Sequence, residues 1–189
     1  MTYVKASVRR PSGNPGNGIQ PKDQLVIYDV DDILSFPQRN DAGVVIEDDI
    51  VMKAGRYAIG IYLTPGTAEI SSNSDGETDA EGYTPSVKFN HPGNEQEIRE
   101  FKTNWLSKKC IVVLRYCSGK PADLIGTPCN PCKLSVSYTG SNESNTNELT
   151  FTQISKGDDI AIYRGTDTLE EPVAVVEAGA TDIDYQTDG

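Results

Sequence analysis

The sequence has no basic cluster. Its longest basic groupings are the pairs Arg9-Arg10 and Lys108-Lys109, and 17 Lys and Arg face 28 Asp and Glu for a formal charge of −11. Gripping phosphates needs a basic face, because neutralising them drives the binding. A nucleic-acid-gripping role is therefore excluded, while passive passage of DNA past an acidic wall is not. No apolar run approaches the length of a membrane span. The opening residues, from Met1 to Lys5, lack the apolar stretch of a signal peptide. The expectation is a chain made and kept in a reducing cytosol, with its four cysteines as thiols. Apolar residues are also scarce, at 37% of 189 residues. That suffices for one core and leaves much chain for loops and exposed segments. Gly and Pro, 17 and 11 in number, are scattered without a period, which points to many turns between short strands.

What is present is mostly strand pattern. Val4, Ala6 and Val8 alternate with Lys5, Ser7 and Arg9, a period of two that predicts a first strand. Residues 11–21 (PSGNPGNGIQP) read as a flexible connection or arm. LVIY at 25–28 is the next strand, followed by an acidic turn at Asp29, Asp31 and Asp32. Residues 43–52 read as two short strands, VVI and IVM, reversed at Glu47-Asp48-Asp49. Tyr57, Ile59, Ile61 and Leu63 line one face of a strand ending at Thr64-Pro65-Gly66. Residues 73–84 (NSDGETDAEGYT) are polar and acidic enough to predict a mobile loop, and Val87 and Phe89 mark a further strand.

One helix is expected, over about 95–107. Asn94 stands as its N-cap, with Glu97 in a capping-box position and Pro92-Gly93 setting the turn before it. Ile98, Phe101, Trp105 and Leu106 give it an apolar stripe. Residues 110–114 (CIVVL) are apolar on both faces and predict a central strand. Leu134, Val136 and Tyr138, then Leu149 and Phe151, read as a hairpin. Its tip at 139–147 (TGSNESNTN) has no apolar side chain and is longer than chain reversal requires. Ile160 and Ile162 predict a closing strand. Residues 165–189 form an acidic arm broken by one apolar stretch, Val173 to Val176.

Few groups suggest chemistry. Cys129-Asn130-Pro131-Cys132 has the C-x-P-C form of redox dithiols, whose first thiol is activated by a helix N-terminus directly after the motif. The following residues, KLSVSYT, alternate as a strand, so that activation is missing. A zinc site would join this pair to Cys110 and Cys117. Those two are seven residues apart on a strand and face opposite ways. Small buried or turn thiols are the simpler reading. His91, the sole histidine, shapes the HPGN turn and lies in no nucleophile elbow. Asp75, Glu77, Asp79 and Glu81 have alternate spacing but lack the sixth-position glycine and closing glutamate of a calcium loop. GNPGNG lacks the Lys-Ser/Thr of a phosphate loop. No enzyme, cofactor or metal site emerges.

The remaining feature is an excess of arms, which cost ordering entropy and pack no core in an isolated subunit. Neighbouring subunits ordering them would account for it. On the stretches DAGVVIEDDIVMKAG (41–55), IYLTPGT (61–67), VKFNHPGNEQEIREF (87–101) and IGTPCNPCKLSVSYTGSNESNTNELTFTQI (125–154), the chain resembles virion structural proteins of tailed phages. The closest character is that of tail-tube-like proteins of phages infecting Bacteroidetes. The resemblance implies a mainly β fold, a sandwich or barrel of short antiparallel strands with one flanking helix. It would occupy 1–164, with 165–189 as a C-terminal arm. It further implies hexameric rings stacked into a conduit in the virion tail, assembled in the host cytoplasm. Partners would be other copies, other tail proteins and, passively, phage DNA. An acidic lumen would let DNA slide. Under it the assembly residues are Gly140, Ser141, Asn142, Glu143, Ser144 and Asn145 at the tip, with Asp75, Glu77 and Asp79 in the acidic loop. A capsid decoration, neck or baseplate component is the alternative of the same class. A monomeric glycan-binding sandwich is the alternative of another class, with Tyr57, Tyr62, Trp105 or Tyr138 stacking on sugars.

Overall fold

The structure, a computed structural model, describes residues 5–18, 20–117 and 119–169. The protein is mainly β, consistent with a sandwich-like fold carrying one α-helix. At its centre are β1 (Pro21–Asp29) and β8 (Cys110–Tyr116), paired antiparallel with Leu25 opposite Leu114 and Tyr28 opposite Ile111. Both strands are apolar on successive residues, as a strand buried on both faces must be. Leu25, Ile27, Cys110, Val112 and Leu114 enter a first core with Val87, Phe89, Leu134, Leu149 and Phe151. Val26, Tyr28, Ile111 and Val113 enter a second core on the opposite face, with Ile46, Ala161 and Tyr163. The β1–β8 pair is thus the shared wall of two cores. Each fully buried large side chain contributes roughly 1.5–3 kcal/mol by area removed from water.

The free side of β1 pairs β5 (Ile59–Tyr62), and the other side of β8 pairs β9 (Ala122–Ile125). From β9 the sheet passes to β12 (Ala161–Tyr163) and then, in parallel, to β3 (Val45–Ile46). At Cys110 the sheet turns a corner through a single residue pair with Cys132, the first residue of β10 (Cys132–Gly140). Gly126 makes the corner possible. Its φ is +90°, and a Cβ there would lie 3.1 Å from Cys132 Sγ and 3.4 Å from the Cys110 carbonyl oxygen. Beyond the corner run β11 (Asn145–Gln153), β7 (Gly82–Pro92) and β6 (Glu69–Asp75), all antiparallel. Phe89 and Phe151 stack between these strands and the central pair, centroids 6.4 Å apart. A separate small ribbon joins β2 (Ile33–Ser35) to β4 (Val51–Met52).

Helix α1 (Gln96–Trp105) follows the left-handed Gly93 and packs Ile98, Phe101 and Trp105 on the first core. Its cap is not the expected one. The N-cap position is Glu95, without a side-chain cap bond, and Asn94 instead accepts a hydrogen bond from Lys102 Nζ at 2.8 Å. Leu106 falls past the last helical turn and is exposed rather than part of the stripe.

Several expectations are corrected. Residues 5–10 form no strand and are exposed, paired with no described strand of their own subunit; Val4 lies outside the described residues. VVI and IVM do form short strands at Val45–Ile46 and Val51–Met52, but they pair with β12 and β2 rather than with each other. The stretch 73–84 is no loop. β6 and β7 are zipped through Asp75 opposite Gly82, and only 76–81 turn. Polar composition disfavours burial, not backbone pairing, and here Ser71 and Ser86 hydroxyls bond across the strands at 3.0 Å. The nine-residue tip is likewise shorter, because Thr139 pairs Thr146 and Gly140 pairs Asn145. In β12 the inward residues are Ala161 and Tyr163, and Ile162 is exposed, whereas Ile160, just before the strand, packs against the first core. The Tyr163 hydroxyl earns its burial by donating to the Thr166 carbonyl at 3.2 Å and accepting from the Ile50 amide at 3.3 Å.

The start of the expected C-terminal arm packs on the domain. The Ala58 amide donates to the Thr168 carbonyl at 3.0 Å. Asp167 accepts from Tyr28 Oη at 2.6 Å and pairs with Arg115. The rest of that arm, 170–189 with its Val173–Val176 stretch, lies outside the described residues.

Candidate assembly surfaces

The residues expected to drive assembly sit on two hairpin ends. In the β10–β11 hairpin, Gly140 and Asn145 are the last paired residues, and Ser141, Asn142, Glu143 and Ser144 make the turn. Ser141 organises it. Its amide donates to the Ser144 carbonyl at 2.7 Å, and its hydroxyl accepts from the amides of Glu143 and Ser144 at 3.2 and 3.0 Å. The tip is therefore a closed, exposed serine turn.

The β6–β7 turn carries the other group. Asp75 is the last residue of β6, and Glu77 and Asp79 lie in the turn proper. Gly76 has φ +142°, and a Cβ there would meet the Ala80 carbonyl oxygen at 2.3 Å. Asp79 takes φ 71°, a left-handed conformation that Asp tolerates. Asp75 pairs with Lys156 at 3.2 Å, and that bond, with the Gly76 amide, holds its carboxyl below the usual range.

The structure does not bring these two groups together; it sets them at opposite ends. Pro92 of β7 pairs Thr146 beside the serine turn, whereas Gly82 pairs Asp75 beside the acidic turn. The eleven residues between them span about 33 Å at ~3.3 Å per residue. The serine turn carries one charge, Glu143, whereas the acidic turn carries Asp75, Glu77, Asp79 and Glu81, with Lys156 paired to Asp75.

The chemistry-bearing residues form no joint site. Cys110 and Cys132 are buried cross-strand partners, whereas Cys117 and Cys129 are exposed. Burial pushes the Cys110 thiol up to about 12 and raises that of Cys132 as well. Cys129 lies in a turn fixed by Asn130, whose side chain bonds the backbone of Ser155 in both directions at 2.7 and 3.0 Å. The next element is strand β10, not a helix. Among the described residues no group of three or more His, Cys, Asp and Glu is placed to hold a metal ion.

A polar cluster that sequence reading missed lies where α1 meets the sheet. Tyr138, Asn147 and His91 stand in one cross-strand row on β10, β11 and β7. Lys102 Nζ bonds Asn147 Oδ1 at 2.6 Å and Asn94 Oδ1 at 2.8 Å, and lies 5.1 Å from the Tyr138 ring centre. Asn147 is fully buried and donates its own amide to the Gly93 carbonyl. The signal was available: Asn147 occupies an inward position in the alternation with Leu149 and Phe151. His91 has its Nδ1 buried without a partner, and burial lowers its pKa. Of the proposed sugar platforms, Tyr57, Tyr62 and Tyr138 are exposed, but Lys102 already lies over one face of Tyr138. Trp105 is partly buried, stacked on Phe101 at 5.6 Å with Lys108 over it.

Neither a protein-family model, a curated protein nor a solved structure matches the chain. No helix among the described residues is long and apolar enough to cross a membrane.

Proposed function

We propose that the chain is a self-assembling structural subunit of a phage tail tube, forming rings that stack into a conduit for DNA. The observation that carries this reading is the placement of two exposed, chemically unlike hairpin turns at opposite ends of one sheet. A subunit that stacks needs contacts fore and aft, and a heterologous contact needs two different surfaces. The β-rich fold with one flanking helix agrees with the resemblance in the sequence. The formal charge of −11 suits a wall that phosphates slide past. A decoration, neck or baseplate subunit would use the same surfaces, and electron microscopy separates these roles by the shape of the assembly.

The test is negative-stain microscopy with native mass measurement over a range of concentrations. The comparison is a chain in which 141–144 are replaced by Thr-Asn-Gly-Thr. The Ser141 amide already donates to the Ser144 carbonyl, so a two-residue Asn-Gly turn inside that pair keeps the register. Stacked rings from the parent chain and unstacked subunits or single rings from the variant are expected. Tubes formed equally by both would remove the serine turn from the contact. A parent chain that stays monomeric throughout, and binds glycan arrays through Tyr57 or Tyr62, would replace the tube reading with the binding-module one.

A further inference from the structure

Strand β6 is an open edge. It pairs β7 on one side, and among the described residues nothing pairs its other side. Natural sheets protect such edges with lysines, prolines, bulges or very short strands. This edge has no lysine, proline or bulge, and its charged residues, Glu69 and Asp75, stand only at its two ends. It runs seven residues, Glu-Ile-Ser-Ser-Asn-Ser-Asp, in unbroken register with β7. Two of these edges pairing with each other antiparallel would set Glu69 against Asp75 at both ends, a like-charge opposition that disfavours that dimer.

The same chain carries a strand pattern with no edge. Residues 4–9 alternate Val, Ala, Val with Lys, Ser, Arg, yet the described residues 5–9 are exposed and unpaired, Val8 at 97%. Charge makes the match. Residues 1–22 hold four basic side chains (Lys5, Arg9, Arg10, Lys22) and no acidic one, whereas 69–81 hold five acidic side chains (Glu69, Asp75, Glu77, Asp79, Glu81) and no basic one.

We propose that residues 5–9 of one copy add as a strand to the open β6 edge of a second copy. The inward face of β6 offers the half-buried Ile70, part of the rim of the first core, to Ala6 and Val8. The outward face presents the exposed Glu69 and Asp75, which pair with Lys88 at 3.5 Å and Lys156 at 3.2 Å inside the subunit, to Lys5 and Arg9 as further partners. Residues 11–20, up to ~35 Å when fully extended, let the segment leave its own subunit. The exchange rests on the self-assembly proposed above and names one of its contacts and that contact's recognition chemistry: main-chain pairing for affinity, alternate apolar and basic side chains for register.

The test mixes isotope-labelled and unlabelled full-length chain and applies a zero-length carbodiimide, which joins Lys5 to a carboxylate only in direct contact. Linked peptides joining Lys5 of one isotope to Glu69 or Asp75 of the other are expected, and they should disappear in V8E. Because Val8 touches nothing in the single subunit, V8E should keep the parent's circular dichroism and melting temperature. Links confined to one isotope would mean the segment folds back on its own edge, and would overturn the exchange, as would no link between these regions. Tubes formed by V8E as readily as by the parent chain would sink the exchange while leaving the tube reading intact. Mixed-isotope links in a protein that never forms rings would do the reverse.

Discussion

Cys129 and Cys132 are separated by two residues and by a large difference in environment. Cys129 is exposed in its turn; Cys132 is buried against Gly126 with its thiol pKa raised by desolvation. Thiolate is the reactive form, so both burial and the raised pKa suppress Cys132 and its partner Cys110. Brief alkylation of the native protein at pH 8 should modify Cys117 and Cys129 and spare Cys110 and Cys132, read by peptide mass. Equal labelling of all four would show that the β8–β10 corner opens readily. His91 gives a second residue-scale test. Its folded pKa lies below the ordinary 6.5 because burial disfavours the imidazolium. Above 6.5 both folded and unfolded chains hold it neutral, so the shift has no effect there. As pH falls below 6.5 the unfolded chain binds the proton first, and stability is lost until the folded imidazole also titrates. Urea midpoints should therefore fall between pH 7 and 5.5 in the parent chain and fall less in H91Q. The carboxylates common to both cancel in that comparison. A parallel decline would show that His91 does not carry the slope.

At the scale of elements, α1 is tied to the sheet by one ammonium held between two amide oxygens. N147A removes the 2.6 Å acceptor of Lys102 and the donor to the Gly93 carbonyl at once; both groups are half-buried, and Lys102 keeps its bond to Asn94. Hydrogen bonds of this kind contribute about 0.5–1.5 kcal/mol each. Chemical denaturation should show a loss in that range for N147A, and a smaller further loss when K102M is added, because the methionine needs no acceptor. Additive losses would mean that the two residues act separately. The elements most legible in the sequence were those whose apolar residues dictate their place, such as β8, β10, β11 and α1. The illegible ones pair by backbone while carrying polar side chains. Glu69–Asp75 reads as solvent-seeking chain, and only the Gly76 turn and the ladder to β7 reveal a strand. Residues 4–9 failed the opposite way. Their alternation is a genuine strand signal, but a signal for a face says nothing about which molecule supplies the edge. Most of the expected tip and acidic loop is exposed, but Asn147, the last residue of that tip, is fully buried. Their lengths were overestimated because pairing continued through Gly140 and Asp75.

At the scale of the whole molecule, the two cores share a wall, and that sharing should make them unfold together. Alternate residues of β1 and β8 belong to opposite cores, so neither can be lost without stripping one face of the strands that support the other. Trp105, the sole tryptophan, packs on the first core and reports on it by fluorescence. Ile46 is fully buried in the second core and absent from the first. I46A leaves a cavity worth roughly 2–5 kcal/mol. If the wall couples the cores, that cost must appear in the Trp105 transition, although Ile46 belongs to the other core. Fluorescence and far-ultraviolet circular dichroism should then keep a single coincident midpoint in urea, displaced equally by I46A. An unchanged Trp105 midpoint with a second, earlier transition in circular dichroism would show two independent units. In the proposed tube, it would also mean that the wall is stiffened by neighbouring subunits rather than by the fold itself.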